Sequence, residues 1–125
     1  MSHFTTITTQ IRDIEALKEA CAELGLDVAE NAQARGYNTS QIPGEYVIRL
    51  KGPYDIAVNQ QKDGTYGMTT DWWAGHVQKE VGINYGRLLQ LYGVYKATRE
   101  ARRKGYVVRR QPLKDGSIKL SIEGV

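Results

Sequence analysis

The strongest constraint on the fold is a long helical region from about residue 77 to residue 104. Gly82 and Gly86 weaken helix propensity near its start, so we expect a short helix followed by a longer one. Gly105 is the expected C-terminal cap. A helix with one long apolar face must be buried against another layer of structure. The apolar residues recur three and four positions apart, and they are Val81, Tyr85, Leu88, Leu89, Tyr92 and Tyr95.

A second helix is predicted near the N-terminus. Asp13 is a residue type that favours the N-cap, and Glu15 lies in the first turn, where a negative charge is favourable. Gly25 ends the pattern. We expect the apolar stripe of this helix to be buried against a sheet. The stripe consists of Ile14, Leu17, Ala20, Cys21 and Leu24.

The other segments are predicted to be strands and turns. Residues 31–44 are polar and rich in turn-forming residues, so we predict a loop or irregular arm there. Lys51-Gly52-Pro53 and Lys62-Asp63-Gly64 supply turns within a meander of three strands. The strand candidates are residues 4–9, a weak segment at 26–30, and the meander strands 46–50, 55–60 and 66–73.

The chain ends in a predicted hairpin with strands at 106–113 and 118–122. Because an isolated hairpin is marginal in water, we expect it to join the same sheet as the meander, in a strand order that remains open. The predicted fold class is therefore α+β. We expect a single domain, residues 1–125, with an antiparallel sheet and helices packed on one face.

Bulk composition indicates an ordinary globular protein. Apolar residues make up 41% of the chain and charged residues 25%, as in soluble domains. No apolar run approaches the ~20 residues of a membrane span, and the N-terminus lacks the pattern of a signal peptide. We therefore expect a cytoplasmic location, or the plastid stroma if the gene is plastid-encoded. The lone Cys21, on the apolar helix face, should be a buried and inert thiol.

Charge is unevenly distributed along the chain. Residues 1–86 hold seven Lys/Arg and eleven Asp/Glu, a net charge of −4. Residues 87–125 hold ten Lys/Arg and three Asp/Glu, a net charge of +7. The basic part is suited to an acidic protein, a phosphate backbone or an anionic surface, or to compensation by the acidic part of the same molecule.

Asp71-Trp72-Trp73 contains both tryptophans of the chain. Adjacent side chains in a strand point to opposite faces, so one indole should fill the core and the other should face outward. An outward-facing tryptophan is a candidate centre for a protein interface. Asp71 is interpreted mainly as a cap for the following turn.

Arg99, Arg102, Arg103 and Lys104 form the densest basic cluster. Cations in the last turn of a helix are favoured by its dipole, which accounts for the cluster without any ligand. Nucleic-acid binding would place exposed aromatics among these cations, yet Tyr92 and Tyr95 lie on the apolar stripe.

No motif in the chain indicates catalysis. A phosphate loop, a dinucleotide fingerprint and a nucleophile elbow are all missing from the sequence. His3 and His76 have no metal-ligand spacing with Cys21. We therefore predict no catalytic residues, no metal and no cofactor, and we do not predict an enzyme.

Several segments together resemble one family. They are the opening MSHFTTITTQIRD, RGY followed by YVIR and YDI, DWW after a DG turn, and the closing KDGSIKL. The chain resembles, over essentially its whole length, the conserved hypothetical chloroplast open reading frame thirty-five family. That family is a domain of unknown function found in cyanobacteria, some algal plastids and other bacteria. The resemblance implies genomic company with small ferredoxin-like proteins and a ring-forming ATPase, and hence partners of those kinds.

We predict a small protein-binding accessory factor: an assembly factor, an adaptor or a subunit of a multi-component system. The expected surface combines the aromatic end of the meander with the basic end of the last helix. The alternative is a nucleic-acid-binding accessory protein that uses the basic C-terminal region. The predicted partner-binding residues are Asp71, Trp72, Trp73, Arg99, Arg102, Arg103 and Lys104.

Overall fold

The computed structural model describes residues 3–124. A five-stranded antiparallel sheet in the order β1-β5-β4-β3-β2 packs with two long helices, and β6 and β7 form a separate two-stranded sheet. The elements in chain order are β1 (Phe4–Thr8), α1 (Ile14–Glu23), β2 (Asp27–Arg35), β3 (Gln41–Arg49), β4 (Ile56–Gln60), β5 (Tyr66–Asp71), α2 (Gln78–Val81), α3 (Gly86–Arg103), β6 (Val107–Pro112) and β7 (Ile118–Glu123). The predicted α+β class is confirmed.

Helix α1 is bounded by the residues that the sequence predicts. The Asp13 carboxylate accepts a hydrogen bond from the Ala16 N–H at 3.1 Å, which satisfies one free donor of the first turn. At the other end Gly25 has φ +75°, and Leu26 N–H bonds to the Cys21 carbonyl. This is the Schellman pattern, which needs a left-handed residue after the helix.

The main core lies between the helices and one face of the sheet. Leu17 and Cys21 of α1 and Leu88 of α3 are buried there. Alternate residues of the central strands supply the other side of this core, and they are Ile48, Ile56, Val58, Tyr66 and Met68. The centre of the predicted α1 stripe is buried, whereas Ile14 and Leu24 at its ends are partly buried against the core. Burial raises the pKa of the Cys21 thiol to about 12, as expected for an inert thiol.

The predicted loop over residues 31–44 is wrong at both ends, because residues 31–35 and 41–44 are strand and only residues 36–40 form the connection. Strands β2 and β3 each run for nine residues and pair with one another as a long hairpin, whereas β3 pairs with β4 only over residues 46–48. The distal half of the hairpin covers the second face of the sheet, where Ala34 packs against Val47 and Ala57. Alanines and polar residues carry little strand signal in isolation, so cross-strand pairing decides this structure.

The C-terminal helical region is divided as predicted. Helix α2 ends at Gly82, and α3 begins at Gly86 and runs for 18 residues. Gly105 has φ +82°, and Tyr106 N–H bonds to the Ala101 carbonyl, again in a Schellman pattern. The Tyr92 hydroxyl accepts hydrogen bonds from the backbone N–H groups of residues 12 and 13, which fixes α3 against the start of α1.

The prediction that the terminal hairpin joins the meander sheet is wrong. Strands β6 and β7 pair only with each other and pack on the helices. Arg110 of β6 forms two hydrogen bonds with the Glu23 carboxylate of α1, at 2.6 and 2.7 Å. Gln90 bonds to the Gly116 carbonyl, and Ile118 packs against the main core. Side-chain anchors therefore replace the ladder hydrogen bonds that we expected.

Within residues 3–124, no helix combines the length and the apolar character that crossing a membrane requires.

Candidate functional site

The chain bends immediately after β5. Strand β5 ends at Asp71 rather than running through Trp73 as predicted, because Trp72 has φ −85° and ψ 7°. The Asp71 carboxylate caps the bend by accepting a hydrogen bond from the Trp73 N–H at 3.0 Å. This is the turn-capping arrangement expected for an aspartate two residues before the donor. Ala74, with φ +58°, continues the turn.

The two indoles have different environments in spite of the bend. Trp72 packs against the main core, and its ring meets the Tyr85 ring edge-on, with centroids 4.8 Å apart. Trp73 is 47% exposed. One tryptophan therefore belongs to the core and the other faces solvent, and the bend rather than strand alternation produces the difference.

Trp73 is not isolated on the surface. Tyr37, at the tip of the β2–β3 hairpin, is 44% exposed, and its ring lies 5.9 Å from the Trp73 ring at an interplanar angle of 73°. We call this pair the aromatic corner. Edge-to-face packing of this kind adds roughly 0.5–1.5 kcal/mol beyond burial, so each ring restrains the other.

Asp71 connects the two halves of the aromatic corner. Its second carboxylate oxygen accepts a hydrogen bond from the Tyr37 N–H at 3.1 Å, and the residue is 1% exposed. Gly36 precedes Tyr37 and lies so close to the Phe4 ring that a Cβ there would be 2.3 Å from its tip. The hairpin tip is thus seated against the ends of β1 and β5.

A second buried carboxylate holds the base of the hairpin tip. Asp55 receives a bidentate contact from the Arg35 guanidinium, with both distances 2.8 Å, and a contact from Arg49 at 3.0 Å. Burial alone would raise the pKa of Asp55, but hydrogen bonds from Arg35 and the Leu50 N–H outweigh it and lower that pKa. Asp55 is therefore a charged residue that ties β2 to the start of β4.

Tyr54 and His76 lie in the same region of the molecule. Their rings meet edge-on with centroids 5.2 Å apart. Burial, followed by the charges of Asp71 and Tyr37, raises the pKa of Tyr54. His76 is half-buried, and its backbone N–H bonds to the Trp73 carbonyl.

The predicted basic cluster divides into paired and unpaired cations. Arg99 forms ion pairs with Asp13 at 3.3 Å and Glu19 at 2.9 Å. Arg102, Arg103 and Lys104 are exposed and form no ion pair within the described residues; we call these three the basic end. An open cleft of about 380 Å³ between α1 and α3 is lined by Glu19, Thr98, Arg99, Arg102 and Arg103.

The structure does not bring the two predicted surfaces together. Trp72 contacts Tyr85, which immediately precedes α3, whereas the basic end lies at the opposite terminus of that helix. Its 18 residues span about 27 Å at 1.5 Å per residue. We expected both groups to share one surface. The structure does not form such a surface.

Sequence reasoning did not identify Tyr37 or the two arginines that hold Asp55. Tyr37 lies between Gly36 and Asn38, and Asn38 has φ +62°. A glycine and an asparagine flanking an aromatic residue are a usable signal for a hairpin tip. Once residues 31–44 are read as a loop, that signal cannot be placed in the fold.

The fold and the site define a small α+β protein with an exposed, internally braced aromatic surface. A family model described as "Protein of unknown function (DUF1257)" matches residues 20–121. The chain is also 29% identical over 125 residues to "Uncharacterized protein ycf35" of Pyropia yezoensis, covering 98% of this chain and 97% of the relative. No solved structure matches significantly. The chain belongs to this family of unknown function, and the resemblance seen in the sequence is confirmed.

Proposed function

We propose that this protein is a protein-binding accessory factor that binds its partner through the aromatic corner. The observation that carries the proposal is the placement of Trp73. It is 47% exposed although a buried carboxylate holds its backbone and a neighbouring ring braces its side chain. Trp73 leaves much of its apolar surface in water, and the edge-to-face contact with Tyr37 offsets only part of that cost in the free protein.

Physical chemistry favours a protein as the occupant. Tryptophan and tyrosine dominate binding hot spots because each offers a large amphipathic surface with few rotatable bonds. Side-chain ordering typically costs about 0.5–1.5 kcal/mol per residue on binding, and pre-organisation reduces that cost. The two rings of the aromatic corner come from distant parts of the chain and restrain each other before any partner arrives.

The wider setting is part of the same proposal. The family resemblance supports membership of a multi-component system with a ferredoxin-like protein or a ring-forming ATPase as partner. We place the system in the bacterial cytoplasm or the plastid stroma. An adaptor, an assembly factor and a subunit each bind a partner protein without catalysing a reaction.

The test is affinity capture with matched variants. Tagged wild-type protein, Trp73→Ala and Tyr106→Ala are used on native lysate of the organism that encodes the chain. Tyr106 is 42% exposed and lies outside the aromatic corner, so its variant removes a comparable ring elsewhere. A captured protein that survives Tyr106→Ala and is lost with Trp73→Ala supports the proposal once the purified pair rebinds.

Equal capture by all three proteins contradicts the proposal. Salt then separates the alternative function, nucleic-acid binding by the basic end. Binding dominated by phosphate contacts weakens steeply with salt, whereas binding centred on an aromatic hot spot does not. Loss of binding on changing Arg102 and Arg103 to serine, with steep salt dependence, would favour the nucleic-acid alternative.

A further inference from the structure

Asp71 differs from Asp55, the other buried carboxylate, in the side-chain cations that surround it. Asp55 is paired with two guanidinium groups. Asp71 is equally buried, yet within residues 3–124 no lysine, arginine or histidine nitrogen lies within 4.0 Å of it. Its partners are two backbone N–H groups. Both carboxylate oxygens are therefore held by N–H donors, and no side-chain cation among the described residues pairs with them.

The aromatic corner lies next to the Asp71 carboxylate. The two N–H groups that bind Asp71 belong to Tyr37 and Trp73, the residues that carry the exposed rings. The rings pack edge-to-face at 73°, and Tyr37 and Trp73 are each nearly half exposed, so part of their aromatic surface stays open to solvent. The face of each ring is the negative part of its quadrupole, and it attracts cations. Charge and shape therefore point to one kind of ligand group.

We propose that the aromatic corner binds the guanidinium of an arginine side chain presented by a protein partner. This inference rests on the proposed function and specifies the chemistry of the partner. The exposed part of the aromatic surface supplies the stacking area. The buried Asp71 carboxylate supplies the opposite charge through its field while it keeps both backbone hydrogen bonds.

Arginine fits this site better than lysine does. A guanidinium is planar and stacks on aromatic faces, and it is less strongly hydrated than an ammonium group. It also forms cation–π contacts more often in protein structures. Arginine is enriched at the centres of protein interfaces, where lysine is depleted. The partner should therefore present a basic segment with at least one exposed arginine.

The experiment titrates purified protein with two peptides that differ only in charge. Acetyl-Gly-Arg-Gly-amide is compared with acetyl-Gly-citrulline-Gly-amide, the neutral isostere, and the Trp73 indole N–H is followed by NMR. The inference predicts that the arginine peptide binds more tightly by about tenfold, the ratio for a charge interaction near 1.4 kcal/mol. Equal shifts from both peptides, or no shift from either, would overturn it.

Variants show that the preference comes from this site. Trp73→Leu removes one aromatic ring and leaves the carboxylate and its backbone hydrogen bonds in place. Asp71→Asn removes the charge and one of the two oxygen acceptors. Both should abolish the preference for arginine, and Tyr106→Ala should preserve it. Survival of the preference in Trp73→Leu would overturn the inference even if Asp71→Asn fails to fold.

The outcomes separate this inference from the proposed function. If the captured partner depends on Trp73 but the arginine peptide shows no advantage, the proposed function stands and the arginine inference fails. If the chain self-associates and changing Arg102 and Arg103 to serine abolishes that association, the occupant is a second copy of this chain. That result would contradict a separate protein partner.

Discussion

Trp72 and Trp73 are adjacent in the chain and play opposite parts in the free protein. Trp72 adds a large apolar ring to the core beside Tyr85. Trp73 leaves nearly half of its surface in water. Their contributions to the free energy of unfolding should therefore differ, although the two residues have the same chemistry.

Alanine variants of the two tryptophans should separate stability from binding. Trp72→Ala should lower the free energy of unfolding by about 3 kcal/mol, the low end for truncating a large aromatic, because Trp72 is only partly buried against the core. Trp73→Ala should lower it by about 1 kcal/mol or less, because mainly an edge-to-face contact is lost. Urea denaturation checks both values. Equal losses would mean that the two indoles share one environment.

Leu17 is the most direct test of the first helix. It is 2% exposed within the main core, so Leu17→Ala should lower the free energy of unfolding by roughly 2–4 kcal/mol. Leu113, which is 41% exposed, is the matched control, and Leu113→Ala should change stability by no more than about 0.5 kcal/mol. Similar melting temperatures for the two variants would show that the stripe is not core.

At the scale of residues, local chemistry was predictable and long-range partners were not. The N-cap at Asp13, the caps at Gly25 and Gly105 and the turn at Asp71 depend on neighbours within a few positions. The second hydrogen bond of Asp71 goes to Tyr37, which is 34 positions away. Nothing in the local pattern specifies such a contact.

At the scale of elements, the β6–β7 hairpin is informative because side chains hold it in place. Within residues 3–124, its strands form no ladder with the main sheet. Arg110 anchors it to Glu23, which also accepts a hydrogen bond from the Tyr95 hydroxyl. Helix α1, helix α3 and the hairpin therefore meet at one carboxylate.

Removing the Arg110 anchor should loosen the hairpin locally. We expect Arg110→Ala to increase hydrogen exchange at the amides of β6 and β7 while the amides of β4 and β5 are unchanged. Arg109→Ala is the matched control, since Arg109 is exposed and forms no ion pair within the described residues. Equal exchange in both variants would show that Arg110 does not hold the hairpin.

The effect of Arg110 should also depend on pH. The hydrogen bond from Arg110, opposed by partial burial and assisted by Tyr95, lowers the pKa of Glu23 from 4.5 to about 2. Because the folded-state pKa is the lower one, the ion pair stabilises fully above about pH 4.5 and is lost as the pH falls toward 2. The difference in exchange protection between wild type and Arg110→Ala should close over that window. A constant difference would contradict the assignment.

The β2–β3 hairpin shows why element prediction failed at one place. Its distal residues alternate small and polar side chains around Ala32 and Ala34, and these carry weak strand propensity. They form strands because each pairs with the opposite strand and because Ala34 packs against the apolar residues Val47 and Ala57. Gly44 permits β3 to lie close to β4 here, since a Cβ there would be 3.3 Å from the Ala57 Cα atom.

At the scale of the whole molecule, the sheet is covered on both faces. The helices lie on one face, as predicted, and the distal hairpin lies on the other. The sequence predicted most of the elements and the packing of the helices on one face of the sheet. It did not predict the packing of the distal β2–β3 hairpin on the other face. The aromatic corner depends on that packing, which brings residue 37 to residue 73.

A variant of Asp55 can show whether the buried carboxylate holds the distal half of the β2–β3 hairpin on the sheet. Asp55→Ala removes the acceptor of the Arg35 and Leu50 backbone N–H groups and the partner of two half-exposed guanidinium groups, so the free energy of unfolding should fall by about 1–3 kcal/mol. Asp27→Asn, at an exposed position in β2, should be within about 0.5 kcal/mol of wild type. Thermal denaturation compares them. A small effect of Asp55→Ala would mean that the hairpin is held by apolar packing alone.

Acrylamide quenching of Trp73 tests the central claim most directly. In the Trp72→Phe variant all tryptophan fluorescence comes from Trp73, and the purified captured partner can be added to the same sample. The account predicts an indole that is readily quenched in the free protein and shielded in the complex. An indole already shielded in the free protein, or one quenched equally with and without the partner, would contradict it.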